Sequence, residues 1–118
     1  MKKILVVDDE RLLREILVRR LKLEGYAVFS AGSAEEALDL LKKETVDAVL
    51  LDNVLPGMSG LQALEALFRE SSAPVVLMTG HFDDDFRTDA MLLGAFAVLS
   101  KPLDDAALCD CLAKASGR

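Results

Sequence analysis

The sequence predicts a three-layer α/β domain, a five-stranded parallel sheet with helices on both faces. Three observations predict it. Short apolar runs without polar alternation recur along the chain, as expected of strands buried on both faces. Between them, apolar residues return at helical spacing, so strand and helix alternate from end to end. Most of the runs also stop at a carboxylate, a hydroxyl or a lysine, which is where an open parallel sheet binds its ligands.

Lys3-Ile4-Leu5-Val6-Val7 is the first strand and ends at Asp8 and Asp9. From Glu10 to Leu23 a helix turns Leu13, Ile16, Leu17 and Leu21 inward, with Arg11, Arg14, Glu15 and Arg19 largely on the other face, and Gly25 ends it. Ala27-Val28-Phe29-Ser30 is a weaker strand. Ser33-Ala34-Glu35-Glu36 reads as a capping box, and Ala37, Leu38 and Leu41 form the stripe of a second helix running to about Lys43.

Five of the six residues from Val46 to Leu51 are apolar, and this third strand closes on Asp52; Pro56, Gly57 and Gly60 then supply a sharp loop. Asp52 either starts that turn or stands where chemistry is done. Ser59-Gly60-Leu61-Gln62 is a second capping box, and Leu61, Leu64, Leu67 and Phe68 are the buried stripe of helix three. Pro74 to Met78 is the fourth strand, closing on Thr79-Gly80. Helix four runs from Phe82 to Leu93, opened by Asp83, Asp84 and Asp85 and stopped by Gly94. Ala95 to Leu99 is the fifth strand, ending at Ser100-Lys101-Pro102. Asp104 and Asp105 open a last helix with Leu108 and Leu112 inward, and residues 115–118 fray out of it as a tail or the start of a linker.

Residues 1–118 are expected to form one domain, large enough for a single core. A chain 52% hydrophobic and 29% charged is an ordinary globular sequence. No apolar run approaches the roughly 20 residues needed to cross a bilayer, and Ile4 to Val7 is too short for a signal peptide, so we place the chain in the cytoplasm, away from membranes. A net charge of −6 argues against direct nucleic-acid binding by this domain. Cys109 and Cys111, two apart on a helix, point in different directions and read as reduced thiols.

Side by side in a doubly wound sheet, the strand ends bring Asp8, Asp9, Asp52, Thr79 and Lys101 to one edge. Carboxylates so placed repel: at about 4 Å and an effective dielectric near 20, each close pair costs on the order of 4 kcal/mol. Lys101 offsets part of this charge, and a small hard cation such as Mg²⁺ would offset more. A carboxylate beside a metal and a lysine, with a hydroxyl opposite, is equipped to attack a phosphoryl group.

These residues resemble the receiver domains of two-component response regulators, through Val6-Val7-Asp8-Asp9, Asp52 with Pro56-Gly57-Met58-Ser59-Gly60, Met78-Thr79-Gly80, and Gly94-Ala95 leading to Lys101-Pro102. The resemblance implies a flavodoxin-like sheet in the order 2-1-3-4-5. It implies that Asp52 accepts a phosphoryl group from a sensor histidine kinase or a phosphotransfer protein. Asp9, Asp52 and the backbone carbonyl of Val54 would hold Mg²⁺ directly, and Asp8 would act through water. Lys101 would contact the phosphoryl oxygens, Thr79 would report their arrival, and the bond before Pro102 would be cis. The output surface would be helix four, strand five and helix five, serving an output domain or effector. The chain would be a self-phosphorylating and self-dephosphorylating switch, not an enzyme with a turnover substrate.

One departure concerns the readout: where the family usually carries a Tyr or Phe three residues before the lysine, this chain has Val98. Valine has no ring to rotate. Phe96, two residues earlier, is expected to fill part of the missing volume. Val54 and His81, two residues beyond Asp52 and Thr79, are expected to tune the lifetime of the phosphoryl group. A receiver-like interaction module that works without phosphorylation is the competing function. A flavodoxin-like cofactor binder is disfavoured, because Asp8-Asp9-Glu10 would repel a phosphate after strand one.

Overall fold

The computed structural model describes residues 1–81 and 83–118. Strands β1 (Lys3–Val7), β2 (Ala27–Ala31), β3 (Ala48–Asp52), β4 (Val75–Thr79) and β5 (Ala97–Ser100) form one parallel sheet in the order β2-β1-β3-β4-β5. Helices α1 (Arg11–Leu23), α2 (Ala34–Lys43), α3 (Gly60–Glu70), α4 (Asp84–Leu92) and α5 (Asp105–Ser116) alternate with them. This is the flavodoxin-like three-layer architecture expected.

Successive strand side chains point to opposite faces, and that alternation sorts the core into two layers. Leu5, Val7, Val49, Leu51, Val75 and Leu77 pack against Ala37, Leu41, Leu64, Leu67 and Ala90, which come from α2, α3 and α4. Ile4, Val6, Ala48, Leu50, Val76 and Met78 pack against Leu17, Leu21, Leu108 and Leu112, from α1 and α5. Both faces of β1, β3 and β4 are therefore apolar, and their sequences show runs. The edge strands β2 and β5 are only partly buried, which is why β2 carried the weaker signal.

Side chains set the helix starts. Ser59 and Gln62 form a reciprocal capping box on α3, while Asp83 and Asp104 each accept a backbone N–H at the start of α4 and α5. At α2 the box expected is only half made. Ser33 Oγ accepts from the Glu36 N–H at 3.1 Å, but Glu36 Oε2 reaches past Ser33 to the Gly32 N–H, 2.9 Å away.

Other expectations are corrected. Phe82, the expected first residue of helix four, lies outside the described residues. Ile16 is 55% exposed: the line Leu13, Leu17, Leu21 already meets the sheet, and Ile16 sits one residue round the helix beside exposed Leu12. The last residues do not fray. Ala115 and Ser116 are buried in α5, Gly117 (φ 76°) provides a left-handed cap, the Arg118 N–H donates to Ala113 O at 2.8 Å, and the Arg118 guanidinium lies 4.6 Å from the Tyr26 ring centroid. Among the described residues no helix is long and apolar enough to cross a membrane.

Leu51 is fully buried at the centre of the sheet, within the layer under α2 and α3. Leu51→Ala should lower the free energy of unfolding by roughly 2–5 kcal/mol, read from the urea midpoint; a change below about 1 kcal/mol would contradict the packing described.

Candidate functional site

Strand register assembles the site. Val7 pairs with Leu51, so the residues that follow them, Asp8 and Asp52, emerge side by side. Asp52 pairs with Met78 of β4, placing Thr79 one step beyond it, and Thr79 pairs with Ser100, after which comes Lys101. The Lys101 N–H donates to Thr79 O at 2.8 Å, which ties the two strand ends together.

The side chains close the arrangement. Lys101 Nζ lies 3.0 Å from Asp52 Oδ1 and 3.8 Å from Asp8 Oδ2. Asp8, Asp9 and Asp52 each offer a carboxylate oxygen, all within 4.8 Å of one another. Asp8, Asp52 and Thr79 are buried, whereas Asp9 is exposed at the rim. Asp8 Oδ1 accepts the Glu10 N–H at 2.9 Å, but Asp8 Oδ2 is buried without a hydrogen-bond partner. Burial raises the Asp8 pKa, opposed chiefly by the Glu10 N–H, while the negative charge of Asp52 raises it further. Three crowded carboxylates, one with an orphaned oxygen, fit a hard divalent cation with oxygen ligands.

The loop after β3 is held to the sheet. The Asn53 N–H donates to Met78 O at 2.8 Å, and the Gly60 N–H to Asn53 O at 2.6 Å. A Cβ on Gly60 would stand 2.6 Å from the Asn53 Cα, so glycine is required there for the loop to fold back. Val54, 66% exposed, begins a short antiparallel ladder of Val54–Leu55 with Met58–Ser59. Exposed His81 donates its backbone N–H to Thr79 Oγ1 at 3.1 Å, which leaves the hydroxyl proton free for another acceptor.

At the readout positions, Val98 is partly buried against the layer under α2, α3 and α4. Phe96 corrects an expectation. β5 begins only at Ala97, and Phe96 is 42% exposed. Ala95 takes the buried position after the Gly94 turn, and Phe96 is left substantially exposed rather than taken into the core. The Lys101–Pro102 peptide is cis. One contact was missed. Arg14, assigned to the outer face of α1, donates from Nη1 to the Asp8 backbone carbonyl at 2.7 Å. Helical periodicity carries no signal for a long side chain that curls back to its own N-terminal loop.

A family model described as the response regulator receiver domain matches residues 4–113. The transcriptional regulatory protein CpxR of Escherichia coli is 39% identical over 105 residues, covering 89% of this chain and 45% of that protein. A response regulator receiver domain protein from Clostridium thermocellum superposes with a TM-score of 0.92 at 31% identity, covering 100% of this chain and 96% of that one. A Burkholderia pseudomallei response regulator, solved with a phosphorylated aspartic acid, a calcium ion and citrate, has a TM-score of 0.89 at 29% identity, covering 99% of this chain and 69% of that one. The chain spans less than half the length of the curated relatives it matches.

With a raised pKa, Asp8 keeps its proton to higher pH in the folded chain than in the unfolded one. Its contribution to stability is therefore full below the ordinary carboxylate value and falls as pH rises through the raised value. Asp8→Asn should remove that fall and stabilise the metal-free protein at neutral pH by about 1 kcal/mol. Urea midpoints measured from acid to neutral pH check this; an unchanged pH slope would count against it.

Proposed function

We propose that this chain, which belongs to the response regulator receiver family, is a phosphorylation-driven switch whose acceptor is Asp52. The observation that carries the proposal is the Lys101 ammonium 3.0 Å from an Asp52 oxygen that also lies within a three-carboxylate cluster. The donor would be the phosphohistidine of a sensor kinase or phosphotransfer protein. An Asp52 oxygen attacks phosphorus, the P–N bond breaks, and its electron pair stays on the imidazole, which is reprotonated from solvent.

Asp9, Asp52 and the Val54 carbonyl would hold Mg²⁺, with Asp8 acting through water. When bound, Mg²⁺ neutralises charge on the phosphoryl oxygens and on the carboxylates around them. Lys101 does part of this from the chain itself, because its ammonium moves with the phosphoryl oxygens as a point charge. Thr79 can donate its hydroxyl proton to the new phosphoryl group, since that hydroxyl already accepts from His81. The Burkholderia response regulator solved with a phosphorylated aspartic acid and a calcium ion supports both parts of this reading.

The consequence would pass through the β4–β5 edge. Thr79 and Lys101 sit at the ends of these strands, and α4, β5 and α5 form the surface next to them. With Val98 in place of an aromatic ring, the change rests on the movement of Thr79 and the backbone it belongs to. The output domain or effector would read that surface, and the acidic residues Asp83, Asp84, Asp85 and Asp89 lie along α4 and its cap. Receiver domains of this family are signalling switches, in keeping with a chain that modifies itself.

Incubation with acetyl phosphate or phosphoramidate and Mg²⁺ should add one phosphoryl group, seen by intact mass. Asp52→Asn should abolish the addition, and Lys101→Ala should slow it by about a hundredfold. No label on the wild type, or an equal label on Asp52→Asn, would refute the assignment. His81→Ala and Val54→Ala should each change the dephosphorylation rate without preventing labelling; unchanged rates in both would remove them as lifetime determinants.

A further inference from the structure

Asp9 is the member of the cluster that nothing holds. Its carboxylate is exposed, and among the described residues no hydrogen bond or ion pair fixes it, whereas Asp52 is paired with Lys101 and Asp8 is held by Glu10. The position of Asp9 must therefore come from its backbone. That backbone is set by the peptide joining Asp8 to Asp9, whose carbonyl accepts from Arg14 Nη1 at 2.7 Å. The same turn is anchored on its other side by the Asp8 N–H, which donates to Ala31 O at 3.1 Å.

The guanidinium itself lies close against Gly32. A Cβ there would stand 3.0 Å from Arg14 Nη1 and 3.6 Å from its Cζ, so a side chain at this position would oblige the guanidinium to shift by a few tenths of an ångström. Gly32 is in turn pinned by Glu36 Oε2 at 2.9 Å, which explains why Glu36 leaves the Ser33 capping box half made. The first turn of α2 thus supports Gly32, Gly32 backs Arg14, and Arg14 holds the acidic loop.

We infer that Arg14 is a positioning residue for the divalent-cation site, fixing the Asp8–Asp9 peptide so that the exposed Asp9 carboxylate stays within reach of Asp8 and Asp52. The inference rests on the reading that the acidic cluster binds Mg²⁺. It makes a prediction opposite in sign to that of simple electrostatics. Removing a positive charge near three carboxylates should tighten cation binding, whereas loosening the loop should weaken it. Arg14 reaches the loop through the Asp8 backbone oxygen, whereas Lys101 is the cation that lies against the Asp8 and Asp52 carboxylates.

Titration of the full chain with Mg²⁺ alone, followed by calorimetry, separates the two. Arg14→Ala should weaken binding by about tenfold, the lower end of what loss of an outer partner costs a metal site. Arg14→Lys should recover part of the loss, since it keeps a donor without the planar fork. Gly32→Ala should give a smaller loss in the same direction by pushing the guanidinium off its seat, and Arg19→Ala, an exposed arginine of the same helix, should leave the affinity unchanged. Labelling by acetyl phosphate should be slowed in Arg14→Ala at low Mg²⁺ and return to the wild-type rate at saturating Mg²⁺, which a general loss of structure would not allow. Equal or tighter Mg²⁺ binding by Arg14→Ala overturns the inference alone. Absence of Mg²⁺ binding by the wild type overturns the cation reading with it. If Arg14→Ala does not fold, as judged by circular dichroism, Arg14→Lys and Gly32→Ala decide: wild-type affinity in both overturns the inference.

Discussion

Everything at the working edge of this domain depends on one electrostatic constraint. Three carboxylates, two of them buried, are held together with a single ammonium among them, 3.0 Å from Asp52 and 3.8 Å from Asp8. Carboxylates about 4 Å apart repel by on the order of 4 kcal/mol at an effective dielectric near 20. The fold tolerates the repulsion because the two buried acids follow strand ends whose register is set elsewhere, by apolar packing. Lys101 leaves part of the negative charge uncompensated, and the crowded oxygens of Asp8, Asp9 and Asp52 fit a hard divalent cation that would offset more of it.

The packing that bears this load is divided between two layers on either side of the sheet. Alternate residues of β1, β3 and β4 feed the two layers, so a slip of one residue in any strand would exchange its faces and move its terminal polar residue off the rim. The register that packs the core is thereby also what places Asp8, Asp52 and Thr79 at the rim. The loops add local supports: Gly60 lets the segment after β3 lie against Asn53, and Arg14 braced on Gly32 secures the segment after β1.

Where side-chain pattern alone decides the outcome, the sequence is readable. The apolar runs identify all five strands, and Ser59 with Gln62 marks the start of α3 as found. Where two arrangements satisfy the same pattern, it is not. Ile16 has the spacing of a core residue and lies outside, because Leu13, Leu17 and Leu21 suffice to cover the sheet. Phe96 has the spacing of a strand residue and stays at the surface, because the chain reaches β5 one residue after it. Residues 115–118 look like a loose tail, yet Gly117 and the stacking of Arg118 on Tyr26 make them the end of a packed helix.

By itself the sequence determined which residue types stand at the strand ends, and so the acidic, hydroxyl and cationic character of the site. These are local facts, legible because strands buried on both faces are apolar until the point where they leave the sheet. Only the tertiary structure decided the distances: that Lys101 pairs with Asp52 more closely than with Asp8, that one Asp8 oxygen is left without a partner, and that Arg14 turns back to hold the loop. Contacts of this kind join residues up to 93 positions apart in the chain. They arise from strand register and from which helix faces are covered, and these are settled only when the whole core packs at once.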